Sequence, residues 1–359
     1  MTTLFSLRPS TPNIGNDIIG LATDAVLRAV FGDHVCLVSL PLDDSGMKGG
    51  GLTARSLYQI NQIADGLIIG PGNLFENGAL QVDLNALAAL SVSTMLLSVS
   101  MGRVFARTGE LTLRTDSLPA DVMVRLCRAC EPALVRDLAT AAHLSCHNFV
   151  QSEIVSCPSF FMDRIPLSLP ARDPGLSDTV LLSIRHPDHM SIPSSRRGRL
   201  TVDLGRIVDR FRKRDIPVRL LCHDFRDLDF VQSFRDVPMM YTEDPYRFLA
   251  WLRYCKLNVT FRLHAFLSCV ALGVPSIPLT YDERSISSIE TIGLKDWAID
   301  YIRAGDFLSE LEKRYENPSC LDEMKQAARP LWDVLYKRLI DGIARFAQKV
   351  ETTRKSRVF

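Results

Sequence analysis

Short apolar runs alternate with longer amphipathic stretches in the first half of the chain. Residues 4–7, 35–40, 67–69 and 95–99 are short runs rich in Leu, Ile and Val, which is the pattern of strands buried on both faces. Between the first two runs, residues 17–31 carry apolar side chains at helical spacing. Such a succession of buried strands and helices predicts a parallel sheet with helices on both faces.

The same alternation restarts after a proline-rich break at residues 166–178, which has the composition of an interdomain linker. We therefore predict an N-terminal domain over 1–165, a C-terminal domain over 179–330, and a closing helix and tail over 331–359. The fold class is α/β, with two Rossmann-like, doubly wound domains facing each other across a cleft. The remaining predicted strands are 154–155, 180–184, 218–222, 239–241, 257–261 and 276–279, and the remaining helices are 57–63, 121–130, 200–211, 225–234, 246–254 and 265–272.

Composition narrows the class of protein. The net charge of +1 gives no sign of nucleic-acid binding, so any anion site must be local. Nine cysteines without regular spacing are typical of free thiols in a reducing compartment. The first ten residues lack a signal-peptide pattern, and the most apolar stretch, 84–101, includes Asn85 and four serines. We expect a soluble, cytoplasmic protein, with the basic tail from Lys337 packed as a helix rather than laid on a membrane.

Two glycine-containing loops follow predicted strands of the first half. Asn13-Ile14-Gly15-Asn16-Asp17 lies between the first strand and the first helix, where Gly15 permits close backbone approach and Asn16 or Asp17 can cap the helix. A substrate loop and a plain helix cap both fit this segment. Gly70-Pro71-Gly72-Asn73 ends another strand, and no Gly-Lys-Ser/Thr follows, which excludes a P-loop. A third glycine-rich stretch, 46–51, predicts a mobile loop.

Basic side chains follow two predicted strands of the second half. Arg185 stands at the end of the strand 180–184, where its planar guanidinium could face an anion. Arg262 and His264 follow the strand 257–261 and begin an apolar helix, where backbone amides also favour an anion. Tyr281 follows the next strand at the same edge. The loop from His186 to Arg199 fits either a lid or, slightly better, a solvated flexible loop.

The Cys127-x-x-Cys130 pair is a weak candidate for a metal site. His143, Cys146 and His147 lie downstream, but a second close Cys-x-x-Cys is absent and the pair falls in a predicted helix. We therefore expect no metal.

Taken together, these segments resemble the polysaccharide pyruvyl transferase family. The resemblance rests on the ordered set Asn13-Ile14-Gly15-Asn16-Asp17, Gly70-Pro71-Gly72, Val135-Arg136-Asp137, Leu182-Ser183-Ile184-Arg185, Arg262-Leu263-His264 and Leu279-Thr280-Tyr281. The chain departs from the family pattern at Asn16, where Asp is usual, at Pro71, where Gly is usual, and at Cys157, where Asp is common. The resemblance implies that the N-terminal domain is the acceptor side and the C-terminal domain the donor side. The departures put the acceptor side in question more than Arg185, Arg262 and His264 on the donor side.

The resemblance implies a GT-B-like fold and a definite reaction. The pyruvyl group of phosphoenolpyruvate would pass to two hydroxyls of a sugar in a glycan or glycan precursor, forming a cyclic ketal, with no cofactor. Arg185 and Arg262 would bind the donor, and His264 would donate or shuttle a proton. A helix N-terminus would lower the pKa of His264, and bound phosphate would raise it. The candidate acceptor or cleft residues are Asn13, Gly15, Asp17, Gly72, Asn73 and Tyr281.

The partners implied are phosphoenolpyruvate and a sugar or lipid-linked glycan, with no nucleic acid. A lipid-linked acceptor would bring the protein to the inner face of the membrane. Two alternatives stay open: a GT-B-type nucleotide-sugar glycosyltransferase, whose diphosphate the same arginines would serve, and a non-catalytic glycan-binding relative. The oligomeric state is not readable from the sequence.

Overall fold

The computed structural model describes residues 1–9, 11–41 and 51–357. The predicted mobile loop at 46–51 therefore lies outside the described residues, except for Gly51.

Two six-stranded sheets, each parallel throughout, form the framework. The strands are β1 Thr2–Arg8, β2 Val35–Pro41, β3 Gly66–Ile69, β4 Ser93–Val99, β5 Val104–Phe105, β6 Leu111–Thr112, β7 Ala133–Val135, β8 Glu153–Ile154, β9 Val180–Ser183, β10 Val218–Leu221, β11 Met239–Met240, β12 Leu257–Thr260, β13 Ser276–Thr280 and β14 Ile299–Asp300. The first sheet has the order β2-β1-β3-β4-β7-β8 and the second β11-β10-β9-β12-β13-β14, while β5 and β6 form a small antiparallel hairpin. This confirms the predicted fold class.

Helices cover both sheets. They are α1 Ile14–Phe31, α2 Ala54–Ile63, α3 Leu84–Ala88, α4 Ala120–Arg128, α5 Leu138–Cys146, α6 Ser194–Arg197, α7 Leu200–Arg212, α8 Leu228–Val231, α9 Pro245–Tyr254, α10 Leu263–Ala271, α11 Glu283–Thr291, α12 Phe307–Glu316 and α13 Pro318–Arg357, with 3-10 turns at Pro158–Arg164, Pro187–His189, Phe225–Asp227 and Lys295–Trp297. In the part of the chain that the structure describes, none of these helices has the length and apolar character needed to cross a bilayer.

Burial on both faces explains why the short strands do not alternate apolar and polar residues, as strands with one solvent-exposed face do. Every residue of β3, β9 and β12 is buried, because helices pack on both faces of each sheet. Polar residues within them are paired internally: Ser183 Oγ donates to Asn258 Oδ1 at 2.9 Å across β9 and β12. The core is therefore built from central strands that tolerate few polar groups.

The closing helix differs from its prediction. α13 begins at Pro318 rather than near Leu331 and passes through Pro330 without ending. A proline removes one helical hydrogen bond, but packing on both sides of it compensates: Ala328 and Trp332 are buried, and Trp332 Nε1 donates to Ile292 O at 2.7 Å. Further along, Phe346 and Val350 approach Gly66 of β3, so this helix runs back from the second half onto the first sheet.

Other differences concern short or polar segments. The predicted helix 225–234 is a 3-10 turn followed by the four-residue α8. The elements β7, α5, α11 and α12 were not predicted. β7 has three residues, α5 has weak apolar periodicity, and the buried face of α11 consists mainly of Ser and Thr. Residues 166–178 contain no helix or strand, which fits the proposed linker. The domain boundaries themselves stay a prediction.

The two halves meet along α1 and α5. α1 packs against α9, α10 and the 3-10 turn Pro158–Arg164. Ile14 N donates to His223 O at 2.9 Å, joining the loop after β1 to the loop after β10. At the other contact, Ser287 Oγ of α11 accepts from Ala139 N of α5 at 2.8 Å. These hydrogen bonds hold the carboxyl ends of the two sheets against each other.

Candidate active site

A cavity of about 490 Å³ lies between the carboxyl ends of the two sheets. Residues after β1, β3 and β7 line one side, and residues after β9, β10, β12 and β13 line the other. In each sheet the strand order reverses at this place, between β1 and β3 and between β9 and β12, which is where open α/β sheets bind ligands. The lining includes the sequence-predicted residues Arg185, Arg262, His264, Asn13, Gly15, Gly72, Asn73 and Tyr281.

Arg262 is a buried charge held in a fixed orientation. It lies between β12 and α10, and Thr260 Oγ1 accepts from its backbone amide at 2.8 Å. Its Nε donates to Ile184 O at 2.9 Å, and its Nη2 donates to Asp227. Nη1 makes no hydrogen bond to the described part of the chain. Burial lowers the pKa of Arg262, but the neighbouring Asp227 opposes this shift, and the guanidinium stays charged.

Asp227 organises this side of the cavity, and sequence reasoning missed it. The carboxylate is fully buried. Besides Arg262, it accepts from the backbone amides of His186 at 2.8 Å and His223 at 3.3 Å. It therefore joins the ends of β9, β10 and β12, three adjacent strands. Asp227 is one of three aspartates within residues 224–229, and no local signal distinguishes it from the other two.

Arg185 differs from every other arginine that lines the cavity. The lining contains six: Arg114, Arg136, Arg185, Arg226, Arg262 and Arg284. Five of them form ion pairs: Arg114 with Asp116, Arg136 with Asp137, Arg226 with Asp224, Arg262 with Asp227, and Arg284 with both Glu76 and Asp282. Arg185 has no such partner among the described residues, and its Nε is buried without a hydrogen bond. The charge of Arg185 is thus available to an anionic ligand.

His264 lies in the first turn of α10, facing the other half. Its Nε2 is buried and makes no hydrogen bond to the described residues. A β-carbon on Gly15 would lie 2.8 Å from His264 Nδ1, so the close approach predicted for Gly15 is to this imidazole. Burial lowers the pKa of His264 to about 3, and the charges of Arg136 and Arg262 add to the effect. The imidazole is therefore neutral near pH 7 in the free protein.

Together Arg185, Arg262 and His264 form what we call the cationic wall. His223 stands behind it, 2% exposed, stacked edge-to-face on Phe248. Burial lowers the pKa of His223 well below its usual value, with Arg262 adding to the shift. Its Nε2 also lacks a hydrogen bond. The wall thus concentrates positive charge and neutral imidazoles in one place.

The opposite side carries mainly uncharged hydrogen-bonding groups, and we call it the amide wall. Its members are Thr11, Asn13, Asn16, Asn73 and Asn77. Asn13 is both a cap and a cavity residue, since its Oδ1 accepts from Gly15 N at 3.1 Å. Gly72 has a φ of +119°, in the region that favours glycine, and places Asn73 at the cavity.

Asp17 is not among the cavity residues. It is exposed on α1, whereas Asn16, at the family's usual Asp position, lines the cavity. Successive helical residues point about 100° apart, so a carboxylate one place later turns away from the site. Pro71 and Cys157, the other departures, are buried and also lie outside the lining.

Arg136 is the charged exception beside the amide wall. It is 4% exposed, and its Nε donates to Asp137 Oδ2 at 3.2 Å. Asp137 in turn caps α5 and accepts from Ser288 Oγ of the second half at 3.2 Å. The segment Val135-Arg136-Asp137 resembles the family pattern in sequence. That it also joins the two halves of the molecule is seen only in the structure.

The loop between His186 and Arg199 is anchored by buried residues in its middle, while Asp188, His189 and Arg199 stay exposed, so the favoured prediction of a solvated loop is right only in part. Met190 and Ile192 are each 1% exposed. Arg114 Nη1 of the first half donates to Ser191 Oγ at 3.3 Å, and Ser194 N donates to Arg107 O at 3.1 Å. The loop closes one end of the cavity because its own apolar residues and these contacts hold it there.

The weak metal candidate gains no support. All nine cysteines are free thiols, and burial raises the pKa of Cys127 to about 12. Over residues 1–9, 11–41 and 51–357, no cluster of three or more His, Cys, Asp or Glu could hold a metal ion.

Solved structures with the same two-sheet arrangement define the class of fold. The chain is similar to a protein from Listeria monocytogenes described as a UDP-N-acetylglucosamine 2-epimerase, at 13% identity and TM-score 0.60, covering 97% of each chain. It is also similar to S. aureus MnaA solved with UDP, at 10% identity and TM-score 0.55, covering 94% of this chain and 91% of the other. At such identities the likeness shows the GT-B-like fold alone.

The sequence profile of the polysaccharide pyruvyl transferase family matches residues 13–283, from the loop after β1 to the start of α11. The chain belongs to this family of enzymes, which transfer pyruvyl groups to polysaccharides. No curated protein matches the chain in sequence.

Proposed function

We propose that the protein transfers the pyruvyl group of phosphoenolpyruvate to two hydroxyls of a sugar, forming a cyclic pyruvate ketal in a glycan or its precursor. The observation that carries the proposal is Arg185, a cavity arginine without a carboxylate partner. Phosphoenolpyruvate carries a carboxylate and a phosphate on neighbouring atoms, and a planar guanidinium can bind either with two hydrogen bonds.

The rest of the cationic wall supports the same donor. Arg262 keeps Nη1 unpartnered beside Arg185, while Asp227 and Ile184 O fix its other nitrogens. The first amides of α10 have no intrahelical partner and lie at the positive end of the helix dipole. A dianionic or trianionic ligand would thus meet one uncompensated charge, one oriented guanidinium and a helix N-terminus.

His264 is positioned for proton transfer. In the free protein the pKa of about 3 makes His264 a neutral but weak base, so it can accept the proton of an acceptor hydroxyl only once the donor is bound. A bound phosphate would raise that pKa and favour the imidazolium, which can then protonate the methylene carbon of the donor. One histidine therefore serves as a shuttle, as the sequence resemblance implied.

All bonds and protons of the proposed reaction are accounted for without a cofactor. The first hydroxyl bonds to C2 of the donor, and its proton passes through His264 to C3, which becomes a methyl group. The second hydroxyl then bonds to C2, the C2–O bond to phosphate breaks, and the proton leaves with inorganic phosphate. Arg185 and Arg262 would stabilise the departing phosphate.

The test combines donor binding with turnover. Calorimetric titration with phosphoenolpyruvate, and in parallel with UDP-, GDP- and CMP-sugars, should show binding of phosphoenolpyruvate alone. Phosphate release in the presence of sugar acceptors should accompany a product whose mass includes the ketal. Arg185→Ala should weaken donor binding by roughly tenfold to a hundredfold, as for loss of a charge-assisted hydrogen bond.

His264→Ala should instead remove turnover by roughly 10²- to 10⁴-fold while donor binding changes little. Arg206→Ala is the matched control, because that arginine is exposed on α7 outside the cavity. Binding of a nucleotide sugar with none of phosphoenolpyruvate would replace the proposal with glycosyl transfer. Full turnover by His264→Ala would remove the histidine from the mechanism.

A further inference from the structure

We infer that the amide wall is the acceptor subsite and that it takes an uncharged sugar, with Asn73 as a specificity-determining residue. The inference rests on the proposed function, which places the anionic donor on the cationic wall. The two walls approach each other at Gly15 and His264, so a ligand on the amide wall faces the proton-transfer group.

Asn73 carries the clearest unused hydrogen-bonding group on this wall. Its Oδ1 is buried and has no hydrogen-bond partner among the described residues. Its side-chain nitrogen likewise makes no hydrogen bond to the described residues. Buried amide oxygens are nearly always hydrogen-bonded in folded proteins, because leaving them unpaired is costly. A sugar hydroxyl bound on this wall would supply that partner.

The neighbouring side chains leave complementary groups unused. Asn16 donates to Thr11 Oγ1 at 2.7 Å, which leaves its Oδ1 as an acceptor. Asn13 uses its Oδ1 on Gly15 N, which leaves its Nδ2 as a donor. A sugar hydroxyl both donates and accepts, so a wall of half-used amides matches a diol better than it matches a purely accepting anion.

The charges around the wall argue against an acidic sugar. Among the described residues, the carboxylates that line the cavity, Asp188 and Asp282, both come from the second half. The arginines that the first half contributes, Arg114 and Arg136, are each paired with a carboxylate. Within the described part of the first half, the lining therefore offers no uncompensated cation to a uronate or sugar phosphate. Replacement of the family's usual Asp by Asn16 keeps the wall neutral.

The experiment measures phosphate release from phosphoenolpyruvate with matched acceptors. Glycosides of neutral hexoses are compared with the corresponding uronides and sugar 6-phosphates, using wild type, Asn73→Ala and Asn73→Asp. Neutral glycosides should be used at least tenfold better, in kcat/KM, than the charged ones. Asn73→Ala should raise the acceptor KM at least tenfold with an unchanged dissociation constant for phosphoenolpyruvate. Asn73→Asp should be worse still, because it adds an uncompensated charge.

The control is Asn85→Ala, an exposed asparagine on α3 outside the cavity, which should leave both constants unchanged. Because the buried Asn73 Oδ1 has no partner among the described residues, Asn73→Ala should unfold at or above the wild-type temperature. Equal use of uronides, or an unchanged acceptor KM in Asn73→Ala, would overturn the subsite while leaving the proposed function in place. Failure of phosphoenolpyruvate to bind to wild type would overturn both.

Discussion

The two walls of the cavity are built in different ways. The cationic wall is organised before any ligand arrives: Asp227 holds Arg262 and ties together the ends of three strands. The amide wall keeps unused hydrogen-bonding groups, since the buried Asn73 Oδ1 has no partner in the described part of the chain. This difference suits a reaction in which one substrate always brings the same anionic groups and the other brings hydroxyls. Fixed charges lower the cost of binding the first, while amides can adapt to the second.

The largest effect should come from breaking the organisation of the cationic wall. Asp227→Asn would remove the charge that balances Arg262 inside the protein. Breaking a buried ion pair by changing one partner typically costs about 3–5 kcal/mol, so the free energy of unfolding should fall by that order. Binding of phosphoenolpyruvate should also weaken in whatever fraction stays folded, with acceptor KM little changed.

Urea unfolding and calorimetric titration together test this prediction. Asp229→Asn, in α8 two residues further on and outside the cavity lining, is the matched control. Wild-type stability and donor affinity in Asp227→Asn would show that the wall does not depend on this carboxylate.

A smaller effect should follow from pushing the walls apart. In Gly15→Ala the new β-carbon would lie 2.8 Å from His264 Nδ1, closer than real contacts, so the imidazole must shift. We expect kcat to fall by roughly tenfold to a hundredfold, because a displacement of about 1 Å can cost that much. Donor affinity should change little, since Arg185 and Arg262 are untouched.

Steady-state kinetics beside donor titration separates these effects. Gly205→Ala, in α7 with open space around a new β-carbon, is the control and should behave as wild type. An unchanged kcat in Gly15→Ala would mean that His264 does not act from this position.

The smallest effect concerns the dependence of stability on pH. His223 is buried and neutral, with its pKa well below 6.5, whereas in the unfolded chain it titrates near 6.5. The unfolded state therefore binds more protons below that pH, and stability is lost as pH falls. Between pH 6.5 and 5 this residue alone contributes at most about 1.4 kcal/mol per pH unit.

Urea midpoints at pH 7.5, 6.5 and 5.5 would measure the slope in wild type and in His223→Leu, which should show a shallower loss. His147→Leu is the control, since that histidine is exposed. An identical slope in His223→Leu would show that the buried imidazole takes no part in the pH response.

The sequence by itself determined the fold class and most of the cavity. The buried strands were readable because β3, β9 and β12 are apolar on both faces. Arg185, Arg262 and His264 could be placed at the cavity because the carboxyl ends of parallel strands share one edge. Very short elements such as β7, and helices that bury mainly Ser and Thr such as α11, were beyond this reasoning.

Only the tertiary structure decided which of these groups are free and which are paired. Asp227 and Arg262 are 35 residues apart in sequence, and Glu76 and Arg284 are 208 apart. Asn73 and Asp17 looked alike as loop candidates, yet the first lines the cavity and the second faces solvent. Which residues pair over long distances, and which face of a helix points into the cavity, depend on how the whole chain packs. Local residue patterns do not determine either of them.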